Sequence, residues 1–400
     1  MKPITQIVSL VLMLIFMGCS NQDNQVRHSK EIQPYVDFLK NENTSAKDYI
    51  ISLFEKNDVV IICERLHPEL TQYDLILDIC KDPRFINNIG NVFIEVCGRK
   101  QADKIDHLLN AVALNENSVN RLITDITRNC SFHPLWTNYN FPYLLRGLYE
   151  INKDLDHNKK IHLYPTDLPH NWKNMDSTAY KVFWDAIRAR DKKMADYIIA
   201  ELDTLSNDGK RNKALVIMNY RHAFGNNFMY NDSIKPDNVG RYLFEHYPGK
   251  VANVLVNSIV LTEVRSDSDV EFGAIQEGKW DASFHVLNKY DLGFDLRNSP
   301  FGKDYFDTWI FTEHNYSYGD VFNGFVYYKP IQEFKMAVGV PGLIDSAFLS
   351  ELKRRNAIAN KVRGSGLPLI DSILWQYNET EITNDIFTDS VKYQISKWVK

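Results

Sequence analysis

Short apolar runs punctuate this chain, and four of them end on polar residues of a kind that does chemistry. Residues 59–63 (VVIIC) open onto Glu64 and His67, and 92–94 (VFI) lead into Glu95. Residues 161–164 end at Thr166 and Asp167, and 214–218 (ALVIM) end at Asn219, Arg221 and His222. Helix-patterned segments alternate with these runs. That order predicts an α/β fold with a mostly parallel central sheet, helices on both faces, a helical insertion and a helical C-terminal tail. Strands that share a direction bring their carboxyl ends to one edge, where ligands bind. Two histidines, two glutamates, an aspartate and an arginine would then meet in one cleft.

The same pattern divides the chain. Helices are predicted over 32–39 and 46–54, the second capped by Ser45, and another opens near Pro68. Strands are expected at 59–63, 91–96, 161–165, 214–218 and 251–259, with shorter ones at 283–287 and 325–328 closing the sheet at an edge. One long helix covers 177–205 and a shorter one 240–247. Residues 101–150 are helical in pattern and long for a plain crossover, so they read as an insertion over the sheet that acts as a lid. From about Pro341 the chain is a helical tail. The expected organisation is a signal peptide (1–18), a tether and first helix (19–45), the α/β domain (46–335) and a C-terminal helical extension (336–400).

Lys2 and the apolar stretch 4–17 form a signal-peptide h-region too short for a bilayer span, and Gly18 precedes Cys19. This resembles a bacterial lipoprotein cleavage site. Cys19 would be the lipidated first residue, carrying palmitate, with the globular part outside the cytoplasm on the cell envelope. The remaining chain, about 380 residues, suits one elaborated domain. A net charge of −5 and the lack of a basic block argue against a nucleic-acid partner. Cys63, Cys80, Cys97 and Cys130 show no C-x-x-C spacing. A Cys63–Cys97 bridge is one reading, and buried free thiols are the favoured one.

Glu64 and His67 stand three apart at a strand-to-helix junction, where the free N–H groups of an opening helix suit an oxyanion. His67 there is a general base on water or a metal ligand. Glu95, inside a strand, needs a strong partner; Arg99 is the nearest along the chain. Arg221 beside His222 fits a developing negative charge. Asp167 could orient an imidazole or ligate a metal, and Arg190 and Asp191 fall on the solvated face of the long helix. His162 and His285 read as packing or edge residues. No G-x-S-x-G, H-E-x-x-H, Walker A or G-x-G-x-x-G occurs. Hydrolysis would therefore use activated water.

These pieces resemble the erythromycin esterase-like and ChaN-like superfamily, which includes the Tiki proteases. Its opening G-E-x-x-H stands here as Cys63-Glu64-Arg65-Leu66-His67, with cysteine for glycine. F-I-E at Glu95, R-D-K-K-M-A at Arg190 and M-N-Y-R-H at His222 follow in the same order over about residues 55–260. The segments 293–302 and 321–330 also resemble exported members. The esterase branch implies a hydrolase with Glu64, His67, Glu95, Arg221 and His222 as catalytic residues, and with Asp167, Arg190 and Arg99 contacting a small-molecule or peptide substrate. The Tiki branch implies a divalent metal on His67, Glu95 and His222, and peptide hydrolysis. The ChaN-like branch implies a haem-binding envelope lipoprotein without turnover, with Tyr220 among the residues lining the porphyrin. A degenerate scaffold, with Cys63 as the first sign of decay, is the third reading.

Overall fold

The computed structural model describes residues 28–209, 211–225, 237–266, 269–308, 316–364 and 371–399. The signal peptide, Cys19 and most of the tether lie outside the described residues, as does the side chain of Tyr220. Among the described residues, no helix is long and apolar enough to cross a membrane.

The fold is α/β around a seven-stranded, mostly parallel sheet. Its strands are β1 (Val59–Glu64), β2 (Asn91–Gly98), β3 (His162–Asp167), β4 (Ala214–Asn219), β5 (Val251–Val256), β8 (Asp291–Asp295) and β9 (Gly324–Tyr328). Between β5 and β8 an antiparallel hairpin is formed by β6 (Ile259–Ser266) and β7 (Asp269–Ala274), and β10 (Met336–Val338) later pairs with β11 (Glu381–Thr383). The sheet order is β3-β2-β4-β1-β5-β9-β8, with only β8 antiparallel to its neighbour. Alternate residues of β1 enter opposite cores. Val59, Ile61 and Cys63 pack on one face, and Val60 and Ile62 on the other. Burial on both faces is why the inner strands read as unbroken apolar runs rather than alternating ones.

The helices Gln33–Asn41 and Ala46–Leu53 form where expected, and the Ser45 side chain accepts from the Asp48 N–H. Four expectations are corrected. The predicted helix 177–205 is two helices, Ser177–Ala186 and Arg190–Asn207, joined by a 3-10 turn. Residues 283–287 belong to the helix Lys279–Leu287, not to a strand, and the edge strand is Asp291–Asp295. The run 251–259 is broken at Asn257 and Ser258, where Asn257 turns to accept from the Arg65 guanidinium at 2.6 Å. The helix expected to open near Pro68 begins at Thr71.

Residues 101–150 form three helices: Ala102–Asn110, Glu116–Asn129 and Asn140–Asn152. The segment after β9 runs back across the strand ends. Ala337 N–H donates to Pro68 O at 2.7 Å and Gly339 N–H to Thr137 O at 2.7 Å, so this segment joins the loop after β1 to the loop before Asn140. The helix Ser346–Arg363 then packs against Ser177–Ala186.

Candidate active site

β1 places Glu64 at its carboxyl end, where the side chain is buried. A buried carboxylate needs partners to offset its lost hydration. Glu64 Oε2 lies 3.0 Å from His67 Nδ1, and Oε1 accepts from the Tyr73 hydroxyl and, at 3.5 Å, from the Asn140 amide. A carboxylate only accepts, so His67 Nδ1 carries a proton. Burial opposes charge on this imidazole, but the charge and hydrogen bond of Glu64, with the charge of Glu95, outweigh it. The His67 pKa is pushed up to about 9.

The oxyanion site expected at the opening of the next helix is not free. Glu69 accepts from the N–H groups of Thr71 and Gln72 at 2.9 and 3.0 Å, and its charge is balanced by Arg65 at 2.8 Å. Arg65 thus belongs to the buried support of the loop and leaves Glu64 to His67.

β2 pairs regularly with β3 through Ile94, then bulges and rejoins it at Gly98. Bulges re-aim side chains beside functional sites. Here Glu95 is freed to accept from the Asn219 N–H, at the end of β4, at 2.9 Å. Its other oxygen lies 3.1 Å from Arg190 Nη1 and 3.5 Å from His222 Nε2. Burial alone would raise the Glu95 pKa. His222, Arg190 and His67 overcome it and hold the carboxyl well below its usual range. The partner of Glu95 is therefore Arg190, not Arg99.

The break in the predicted long helix explains Arg190. As the first residue of its helix it turns inward, and its Nε donates to Asp167 Oδ1 at 2.7 Å. Asp191, beside it, is only 4% exposed and receives His222 Nδ1 at 2.5 Å. Neither residue lies on a solvated face. Arg221 turns away, to Asp191 at 3.5 Å and the Asp237 carbonyl at 2.9 Å. Arg99 stacks over Tyr197 and donates to the Asp167 carbonyl at 3.3 Å. The structure thus brings Glu64, His67, Glu95, Asp167, Arg190 and His222 together and sets Arg221 and Arg99 around them.

A cavity of about 190 Å³ opens between these strand ends, lined by His67, Glu95, Cys97, Asp167 and Arg190, and by Cys130, Phe132, His133 and Trp136 from the segment before the helix Asn140–Asn152. Trp136 meets the His67 ring edge-on at 5.2 Å. His133 Nδ1 lies 2.9 Å from Arg363 Nη1. Guanidinium can only donate, so His133 is the Nε2–H tautomer. Burial and the Arg363 charge lower its pKa to about 4.

Sequence reasoning missed Tyr73, Asn140, Asp191, His133 and Trp136 as parts of this site. For Asp191 a signal existed in the R-D pair. The others come from helices and loops whose approach to the strand ends leaves no local pattern. The favoured reading of Cys63 and Cys97 holds over the alternative bridge: both are buried and neither is in a disulfide, and β4 separates the two strands.

Glu64, His67 and Glu95 each offer one donor atom within 4.8 Å of the others, a set that fits a divalent cation. The cavity between the strand ends, at about 190 Å³, is smaller than the roughly 300–1,000 Å³ of drug-sized pockets.

No protein-family model and no curated protein matches the chain. Among solved structures it is similar to a succinoglycan biosynthesis protein (10% identity, TM-score 0.47, 76% of this chain and 94% of that one). It is also similar to an erythromycin esterase variant in its open conformation (12%, TM-score 0.45, 80% and 98%). A Bacillus cereus protein is a third (12%, TM-score 0.44, 75% and 97%). Likeness at this level assigns neither family nor activity, and the functional reading rests on the site.

Proposed function

We propose that this chain is a hydrolase of carbonyl substrates, an ester, lactone or peptide, whose attacking water is activated between two imidazole–carboxylate pairs. One observation carries the reading: His67 on Glu64 and His222 on Asp191 converge on the single carboxylate of Glu95. Imidazoles oriented through Nδ1 by a carboxylate are built for proton transfer at Nε2.

In this reading the roles divide. His67, expected from sequence to be the base, has its pKa pushed up to about 9 by Glu64 and serves instead as proton donor to the leaving group. His222, its Nδ1–H held by Asp191, takes the proton of the attacking water at Nε2. Glu95 stays ionised and balances the His67 ring and Arg190. The remaining N–H groups of Arg190 and the Nε2–H of His133 stabilise the developing oxyanion, work that a good donor does by about 10²–10³-fold. Trp136 and Phe132 exclude water from one wall.

A divalent cation would be held by Glu64, His67 and Glu95, where it would supply Lewis-acid polarisation and a more acidic water. Export and anchoring through a lipid on Cys19 complete the proposal, placing the site at the cell envelope. The test is hydrolysis of ester, lactone and peptide panels by the wild type, His67→Ala and Asp191→Asn, each with and without added Mn²⁺ and Zn²⁺. Turnover lost in both variants supports the reading. Turnover that survives intact in both overturns it.

A further inference from the structure

The cavity holds two thiols that the proposed chemistry does not use. Cys97 lies in the bulge of β2, two residues beyond Glu95, and Cys130 follows the helix Glu116–Asn129. Both are buried from outside solvent, yet both line the cavity wall. The Gly98 N–H donates to the Cys130 carbonyl at 2.8 Å, so the backbone beside Cys97 is held against that of Cys130. The Cys97 side chain also adjoins the Cys130 thiol. Cys97 also has a φ of +92°, in the left-handed region that a residue with a Cβ rarely adopts. A Cβ at Gly98 would stand 2.7 Å from the His170 ring, so the backbone that follows Cys97 packs closely against that ring.

We propose that Cys97 and Cys130 are a redox-modifiable pair that closes to a disulfide inside the active-site cavity. The co-reactant is a peroxide, small enough for the cavity. One thiol attacks a peroxide oxygen, its proton passing to the departing oxygen, and the O–O bond breaks to give a sulfenic acid and water. The second thiol displaces the sulfenic hydroxyl, forming the S–S bond and releasing water. In sum, two thiols and hydrogen peroxide give one disulfide and two waters. The bond ties the end of β2 to the loop that carries Phe132, His133 and Trp136, and so fixes the wall facing His67. Cys63 and Cys80, buried in β1 and in the helix Thr71–Lys81, line no part of this cavity and stay reduced.

The experiment is peptide mapping of the full chain after peroxide treatment while folded, then denaturation and alkylation without reductant. The expected result is a linked pair of peptides holding Cys97 and Cys130, cleaved by dithiothreitol, with Cys63 and Cys80 alkylated. Hydrogen exchange in residues 131–138 should slow at least several-fold in the oxidised protein and not in Cys130→Ser. Alkylation of all four cysteines, a different pairing, or separate overoxidation of the two thiols overturns the proposal. None of these readouts depends on the hydrolase reading.

Discussion

Arg363, the last residue of its helix, donates to His133 Nδ1 at 2.9 Å and stands over the Trp184 ring at 4.1 Å. A residue far along the sequence thereby sets which nitrogen of an active-site imidazole carries the hydrogen. With Nδ1 occupied as an acceptor, the Nε2–H is fixed as a neutral donor. Replacing Arg363 by Met keeps much of the packing and removes that lock. The expected outcome is about a tenfold fall in kcat with little change in KM, since one oriented oxyanion donor is weakened rather than removed. Steady-state kinetics check it, together with an upward shift of the His133 pKa from about 4 by NMR titration.

His67→Gln should lower turnover by about 10²–10⁴-fold, the usual worth of a positioned proton donor. In the wild type, kcat/KM should fall as pH rises through about 9, where the imidazolium deprotonates. A base in this position would instead give a rate that climbs toward pH 9. The pH–rate profile separates the two directly.

Asp191→Asn keeps a side chain that can meet His222, but as an amide it no longer favours the protonated ring. Turnover is expected to drop by about 10²-fold or more while melting temperature changes little. A rate unchanged within twofold would remove His222 from the mechanism.

Glu95 is buried and its partner Arg190 mostly so, and the carboxylate also satisfies the Asn219 N–H. Removing one partner of a buried pair leaves the other charge uncompensated, at a cost of about 3–5 kcal/mol. Glu95→Ala should therefore lower stability by that amount in urea unfolding. Glu95→Gln, which keeps hydrogen-bonding atoms, should cost less. Loss of activity in either variant is then read against its measured stability.

Two histidines bend stability with pH in opposite senses. His67 is raised from 6.5 to about 9, so the folded state binds the extra proton. Its contribution is complete below pH 6.5 and is lost as pH rises through about 9. His133 is lowered from 6.5 to about 4, so the unfolded state binds the proton first. That contribution is lost as pH falls from 6.5 through about 4. Melting temperature against pH should show both flanks, with His67→Gln flattening the alkaline one and His133→Gln the acid one.

The sheet was legible because β1, β2, β4 and β5 are buried on both faces and so write apolar runs that end where the chemistry begins. The strand-end residues Glu64, Glu95, Asp167 and His222 were legible for the same reason. The strand predicted at 283–287 failed because Ser283–Leu287 carries a short apolar pattern that fits either period, and packing of Trp280 and Phe284 decides for the helix. Arg190 and Asp191 were misplaced because amphipathic spacing runs straight through the 3-10 turn that redirects them. Tyr73, Asn140 and His133 reach the site from other elements, and only the tertiary fold brings them there.

The central claim is tested most directly by comparing hydrolysis of ester, lactone and peptide panels by the wild-type chain and by His67→Ala at neutral pH. At least one substrate should be cleaved by the wild type about 10²-fold or more faster than by the variant. Equal rates for every substrate that either protein cleaves would contradict it.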